Sequence, residues 1–247
     1  MALLFMMTPS AFFQPLRSVT LPGCGTEVLL AGFDLHHYSP SLFNQLGVKM
    51  PDAISRAVPK RQAEFLAGRY LALQLLTERG IAPVEIAVGD NRAPVWPQGL
   101  TGSISHHDQL AACVICPRHH EQAGVGLDIE LPVNADIVPG MQGMVVNEQE
   151  LARLDTDEHN AIWLMTLMFS AKESIFKALY PQVQRYFDFL DVSFLGMDDQ
   201  WLYFELNTEL AGSLPSGRQG KVYYTRMGES VLTFTRSEYF TDNNYHY

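Results

Sequence analysis

Two short segments carry side chains that could do chemistry. The first is GVGLDIE, residues 124–130. On a strand, alternate residues share a face, which sends Val125, Leu127 and Ile129 into a core and Gly124, Gly126, Asp128 and Glu130 to the other side. That other side is bare backbone followed by two carboxylates, and glycines on a strand often mark a place of close approach. Two carboxylates at i and i+2 repel unless a cation lies between them. Hard oxygen ligands of this kind suit Mg²⁺, which typically takes one or two carboxylates plus substrate phosphates. The alternative is a strand end with two solvated acids.

The second segment is FSAKESIFKALYP, residues 169–181. Its helical stripe runs Ile162, Thr166, Phe169, Phe176, Tyr180, and the position between Phe169 and Phe176 is Glu173. This places a carboxylate on the buried side, where it needs a metal, a cation or a proton. Lys177 lies one turn on and is a neighbour on the helix surface, so an ordinary Glu–Lys pair at a solvated edge is the other reading. Lys172 points about 100° away from Glu173, toward either a phosphate or solvent.

The elements that must hold these residues are legible in outline. Residues 60–78 read as a helix with Ala63, Leu66, Tyr70, Leu73 and Leu76 on one face and Gly80 ending it. Strands are expected at 26–33, 111–116 and 124–130. Asn147 and Glu150 have capping-box spacing for a helix start. A longer helix is expected over 159–179, stopped by Pro181. The tail alternates at 202–206, 221–226 and 231–236, the last two forming a hairpin. The expected class is α+β, with strand-and-helix groups in both halves.

Together the two segments resemble the paired signature of phosphopantetheinyl transferases of the surfactin/enterobactin type: Gly–(Ile/Val)–Asp–x–Glu, a gap, then (Trp/Phe)–(Ser/Thr)–x–Lys–Glu–(Ala/Ser)–x–x–Lys. Every fixed position has an acceptable match, and Phe169 stands where other members have Trp. Upstream, RQAEFLAGR (61–69), NRAPVWPQG (91–99) and GSISHH (102–107) look like the matching stretches of the enterobactin synthase component D group, which serves siderophore synthesis.

The resemblance implies a pseudo-duplicated fold of two similar α/β lobes, an N-terminal lobe on the coenzyme A side (1–125) and a C-terminal lobe with the magnesium and the catalytic helix (126–247). It implies a Mg²⁺-dependent enzyme that moves 4′-phosphopantetheine from coenzyme A to a serine of an apo carrier protein, releasing 3′,5′-ADP. The carrier would be an aryl, peptidyl or acyl carrier domain. By the same resemblance Asp128, Glu130 and Glu173 match the metal ligands, and Glu173 is also the candidate base. Lys177 matches the residue that stabilises or protonates the leaving phosphate. Ser105 and His106 match residues that hold coenzyme A phosphates, and Arg61, Arg69 and Arg92 match basic positions near the nucleotide; Lys172 is a further phosphate candidate. Lys49, Arg56, Lys60, Arg61 and Arg69 form the basic zone such a ligand needs. A non-catalytic module that binds carrier protein or coenzyme A, and another Mg²⁺-dependent phosphotransferase, are the alternatives.

Composition narrows the field further. The chain has 247 residues, 47% hydrophobic and 18% charged, enough for a sizeable core. A net charge of −10 argues against nucleic acid as a partner. A restriction-type nuclease would need a lysine two residues after Glu130, where this chain has Pro132. No GxSxG nucleophile motif and no HExxH zinc motif occurs. Cys113 and Cys116 lie in a strand-like apolar run and read as core; with three cysteines no disulfide framework is expected. The apolar N-terminus lacks a leading Lys or Arg and is too short to span a bilayer. A cytoplasmic monomer is expected, peripherally associated at most with a synthetase complex. The apolar surface around Phe187–Leu190 and the Met-rich 131–146 segment are the candidate carrier-docking regions.

Overall fold

The computed structural model describes residues 11–82, 84–154 and 161–241. The chain divides into two compact units, Met1–Ile115 and Cys116–Tyr247. Each is a sheet with one long helix, a mixed α/β construction.

The first unit orders its four strands β1-β2-β4-β3. They are β1 (Arg17–Leu21), β2 (Thr26–Gly32), β3 (Leu100–His107) and β4 (Leu110–Pro117). Three helices fall between β2 and β3: α1 (Ser41–Gln45), α2 (Asp52–Ser55) and the long α3 (Pro59–Glu78). Pro59 opens α3, where its missing N–H costs nothing. Gly80 closes it at φ 70°, with its N–H on the Thr77 carbonyl and that of Ile81 on Leu76. Ala63, Leu66, Tyr70 and Leu76 are buried as their spacing predicts, and Leu73 is partly so. Gly68 is where α3 meets the sheet, since a Cβ there would lie 2.5 Å from Ile104 Cγ2. That contact fixes which α3 side chains face β3.

The second unit orders five strands β5-β9-β8-β7-β6: β5 (Val125–Glu130), β6 (Val192–Met197), β7 (Trp201–Leu206), β8 (Gln219–Met227) and β9 (Ser230–Arg236). Its helices are α4 (Val138–Met141), α5 (Glu148–Arg153), α6 (Ala161–Val183) and α7 (Glu238–Thr241). The expected hairpin is β8–β9, turned at Gly228 with φ 66°. The capping box at Asn147 and Glu150 is formed in full.

Two local expectations are corrected. Pro181 does not stop α6, which runs on to Val183 with Pro181 inside its last turn. The missing N–H falls where the helix is about to end anyway, and Gln184, at φ 51°, makes the turn out of it. Positions 159 and 160 of the expected helix lie outside the described residues. The stripe Ile162–Phe169–Phe176–Tyr180 is the half-buried margin of α6, not its core face; Leu164, Met165, Leu167, Met168, Ala171, Ile175 and Leu179 carry the core. The helix is apolar around most of its circumference, so periodicity alone could not choose the buried side.

Candidate functional site

What comes close to Gly126 of β5, and to Gly124 just before it, is α6. A Cβ on Gly126 would lie 1.7 Å from the Ser174 carbonyl oxygen, and one on Gly124 would lie 2.2 Å from that of Ala178. The bare strand face therefore lets the helix backbone lie directly on it. Hydroxyls lock the contact. Ser174 and Ser170 on α6 both hydrogen-bond the Thr233 hydroxyl of β9, at 2.7 and 2.9 Å, and Thr233 is the cross-strand partner of Asp128.

This packing brings the signature residues together. Lys177 Nζ donates to Asp128 Oδ1 at 2.6 Å and to the Leu127 carbonyl at 3.2 Å. Asp128 is only 2% exposed. Burial pushes the Glu173 carboxyl above the usual range; Lys177 opposes that and Asp128 adds to it. Burial works to lower the Lys177 pKa, but the carboxylates of Asp128, Glu173 and Glu130 more than offset it, and the net shift is upward. One ammonium thus answers three carboxylates. Among the described residues, no three His, Cys, Asp or Glu side chains are gathered tightly enough to hold a metal as they stand.

Lys172 is elsewhere. Its Nζ is sealed in the second unit, 1% exposed, and donates to Glu150 Oε1 at 2.7 Å and to the carbonyls of Val145 and Phe189. All three of its donors are used, so it points neither at solvent nor at a phosphate. Burial lowers its pKa and Glu150 pulls back up, leaving it lowered. The expectation of a phosphate contact at Lys172 is corrected accordingly. Its partner was not visible in the sequence: Glu150 serves the capping box with one oxygen, and with the other it accepts from Lys172 and the Phe194 N–H.

In the first unit, Arg61, Arg69, Arg92 and His106 line one cavity of about 450 Å³, floored by Phe65, Gly68 and Ile104. Arg61 Nη1 lies 2.9 Å from His106 Nε2. Glu64, absent from the expected set, stands 3.6 Å from Arg61 and 3.7 Å from His106 Nδ1. Arg69 is 8% exposed and stacks 4.9 Å from the centre of the Phe65 ring. Its Nε has no hydrogen-bond partner among the described residues, and Nη2 makes a long 3.5 Å contact to the Ala87 carbonyl. Burial brings its pKa down to about 10, against an opposing effect of Cys113 and with a lesser lowering by Arg61. Such a guanidinium stays charged at neutral pH and is poorly satisfied without an anion. Arg92 is aimed from a strained turn in which both Asn91 and Arg92 have positive φ, 49° and 64°.

Ser105 does not join them. On β3 it alternates with His106, is 5% exposed, and is not among the residues that line the cavity. The basic zone is also smaller than its sequence cluster: Lys49 pairs with Glu85, Lys60 pairs with Asp108 and Arg56 does not line the cavity, leaving Arg61 and Arg69 to it. Of the candidate docking regions, Phe187, Val138, Met141, Val145 and Val146 are core, while Ile137 and Met144 are exposed. Cys113 and Cys116 are buried free thiols. No described helix is long and apolar enough to cross a membrane.

Comparison with known proteins follows the same division. The 4′-phosphopantetheinyl transferase N-terminal domain matches residues 50–116, which include the whole arginine–histidine cavity. The 4′-phosphopantetheinyl transferase superfamily matches residues 124–234, which include Asp128, Glu173 and Lys177. Enterobactin synthase component D of Salmonella typhi is 34% identical over 66% of this chain and 66% of its own length. The 4′-phosphopantetheinyl transferase Npt of Nocardia iowensis is 32% identical over 66% and 67%. Enterobactin synthase component D of Shigella flexneri is 32% identical over 75% and 88%. The chain thus spans about two thirds of the length of the first two of these relatives.

Proposed function

Because the chain belongs to the 4′-phosphopantetheinyl transferase superfamily, a family of transferases, we propose that it transfers 4′-phosphopantetheine from coenzyme A to a serine of an apo carrier protein. The observation that carries this reading is that one chain holds both an arginine-rich cavity, in its first unit, and a buried carboxylate–lysine cluster, in its second. We assign the coenzyme A side to the N-terminal part (1–125) and the chemistry to the C-terminal part (126–247).

In this reading Arg61, Arg69, Arg92 and His106 bind the phosphates of coenzyme A, and the under-satisfied Arg69 contributes most. The carrier serine Oγ attacks the β-phosphorus, forming a P–O bond as the bridging P–O bond to the nucleotide breaks. Glu173 takes the serine proton, and its raised pKa makes it a better base than an exposed carboxylate. Lys177, whose pKa is raised, stays protonated and stabilises charge on the departing 3′,5′-ADP rather than surrendering its proton. The donor set of Asp128, Glu130 and Glu173 is all hard carboxylate oxygen, which fits Mg²⁺. When bound there, Mg²⁺ would supply a Lewis acid for the pyrophosphate oxygens. Lys177 would then give up part of its hold on Asp128.

The carrier is an aryl, peptidyl or acyl carrier domain, with siderophore synthesis the setting that the enterobactin synthase relatives favour. The test is chromatographic: coenzyme A is consumed and 3′,5′-ADP released only when both an apo carrier and MgCl₂ are present. Release without carrier, or no release with any carrier class, contradicts the proposal.

A further inference from the structure

A carboxylate is an odd resident of a cavity proposed to bind phosphates. Glu64 is 9% exposed, lines the cavity, and faces the two groups that should meet the ligand, Arg61 and His106. The local geometry gives it a purpose. Arg61 is a donor only, so at 2.9 Å the His106 Nε2 must be accepting and hence carries no proton. The imidazole proton is then on Nδ1, the nitrogen that faces Glu64. In the ligand-free protein His106 is therefore a neutral ring between a guanidinium and a carboxylate.

A phosphate entering the cavity competes for Arg61. Once Arg61 turns to the ligand, the Nε2 lone pair loses its donor and faces phosphate oxygen. Lone pair against lone pair is repulsive; a protonated Nε2 turns the contact into a charge-assisted hydrogen bond. The charged groups around His106 decide whether that proton is affordable. Arg61 and Arg69 on α3 and Arg92, all lining the cavity, oppose it. Glu64 on α3 favours it. Lys60 and Asp108 neutralise each other, and His107 follows on the same strand. Bound phosphate charge offsets the arginines, which leaves Glu64 as the protein group that holds the imidazolium at Nδ1.

We propose that Glu64 is a positioning residue of this cavity: it acts through His106, its carboxylate 3.7 Å from Nδ1 stabilising the imidazolium that forms when a phosphate ligand binds. The inference rests on the coenzyme A reading of the cavity. Its consequence is that binding takes up a proton from solution. Atoms balance simply: buffer supplies one proton to His106 Nε2, and Arg61 exchanges that nitrogen for a ligand oxygen.

Calorimetric titration of coenzyme A in buffers of differing ionisation enthalpy reads the proton count directly. At about pH 8, where a free imidazole is neutral, wild type should take up about one proton more per ligand than His106→Gln. Glu64→Gln keeps the shape but should lose most of that uptake. Its coenzyme A affinity should fall more steeply with rising pH than at acidic pH, whereas a merely structural defect would weaken binding equally at all pH. Equal proton counts in wild type and either variant overturn the role of Glu64. Absence of coenzyme A binding by folded wild type overturns the cavity reading itself, and the inference with it.

Discussion

Removing the charge of Lys172 tests the buried ion pair and settles which of two jobs this lysine does. In Lys172→Met the side chain keeps its length and apolar stem. Glu150, fully buried, loses its ammonium partner, and the carbonyls of Val145 and Phe189 lose their donor. Two N–H groups, Asn147 and Phe194, still reach the carboxylate, so it is not wholly stranded. Breaking one side of a buried pair costs about 3–5 kcal/mol. In a chain of this size that is a fall in Tm of about 6–20 °C. Thermal unfolding followed by circular dichroism reads it. The double variant Lys172→Met/Glu150→Leu, which removes both charges, should recover part of the loss, although the cap and the Phe194 contact go with Glu150. A phosphate-binding lysine would behave oppositely, with Tm unchanged and coenzyme A affinity reduced. That result would refute the reasoning.

Gly126→Ala puts a methyl group 1.7 Å from a helix carbonyl that cannot turn aside; a loss of about 3 kcal/mol or more is expected, with activity falling further as Glu173 moves off Asp128. Urea unfolding and a kinetic assay on the same protein check both. Arg69→Met should abolish coenzyme A binding by calorimetry while leaving Tm unchanged or higher, since a buried guanidinium short of partners is exchanged for an apolar chain. For Glu173 the folded pKa is raised, so the native state holds a proton that the unfolded state releases between the two pKa values. Stability is therefore lost as pH rises through that window, and at neutral pH ionised Glu173 destabilises the metal-free fold. Glu173→Gln should raise Tm at neutral pH in EDTA, show no gain below about pH 4, and be inactive. A lower Tm at pH 7 would contradict the burial argument.

The cluster of charged side chains was more legible than its packing. Asp128, Glu173 and Lys177 were marked by residue type and spacing, because a charge in an otherwise apolar segment needs a reason that local sequence can show. Six of the nine described strands and both long helices followed from periodicity, from Gly80 and from the Asn147–Glu150 cap; β1, β3 and β6 were not expected. What failed were statements about direction. Lys172 and Glu173 are adjacent and equally charged in magnitude, yet one is sealed in the core and the other stands at its margin; only the partner Glu150, distant in sequence, decides that. Ser105 and His106 face opposite sides of β3 by strand alternation, and α3, packed through Gly68 on Ile104, lies on the side of His106. Gly124 and Gly126 did announce a close approach, but the visitor is the α6 backbone. Glu64 was not marked as a site residue: Arg61 is its neighbour along the helix, but His106 is brought to it only by the sheet.

The central claim is the transfer itself, and intact mass spectrometry tests it most directly. The protein is incubated with coenzyme A, MgCl₂ and a panel of apo aryl, peptidyl and acyl carrier domains, alongside Asp128→Asn, Glu173→Gln and an EDTA control. The account predicts that at least one carrier gains the mass of one phosphopantetheine group with the wild-type protein and that the gain is lost in all three controls. No gain on any carrier, from folded protein that still binds coenzyme A, would contradict it and leave a binding module without the chemistry.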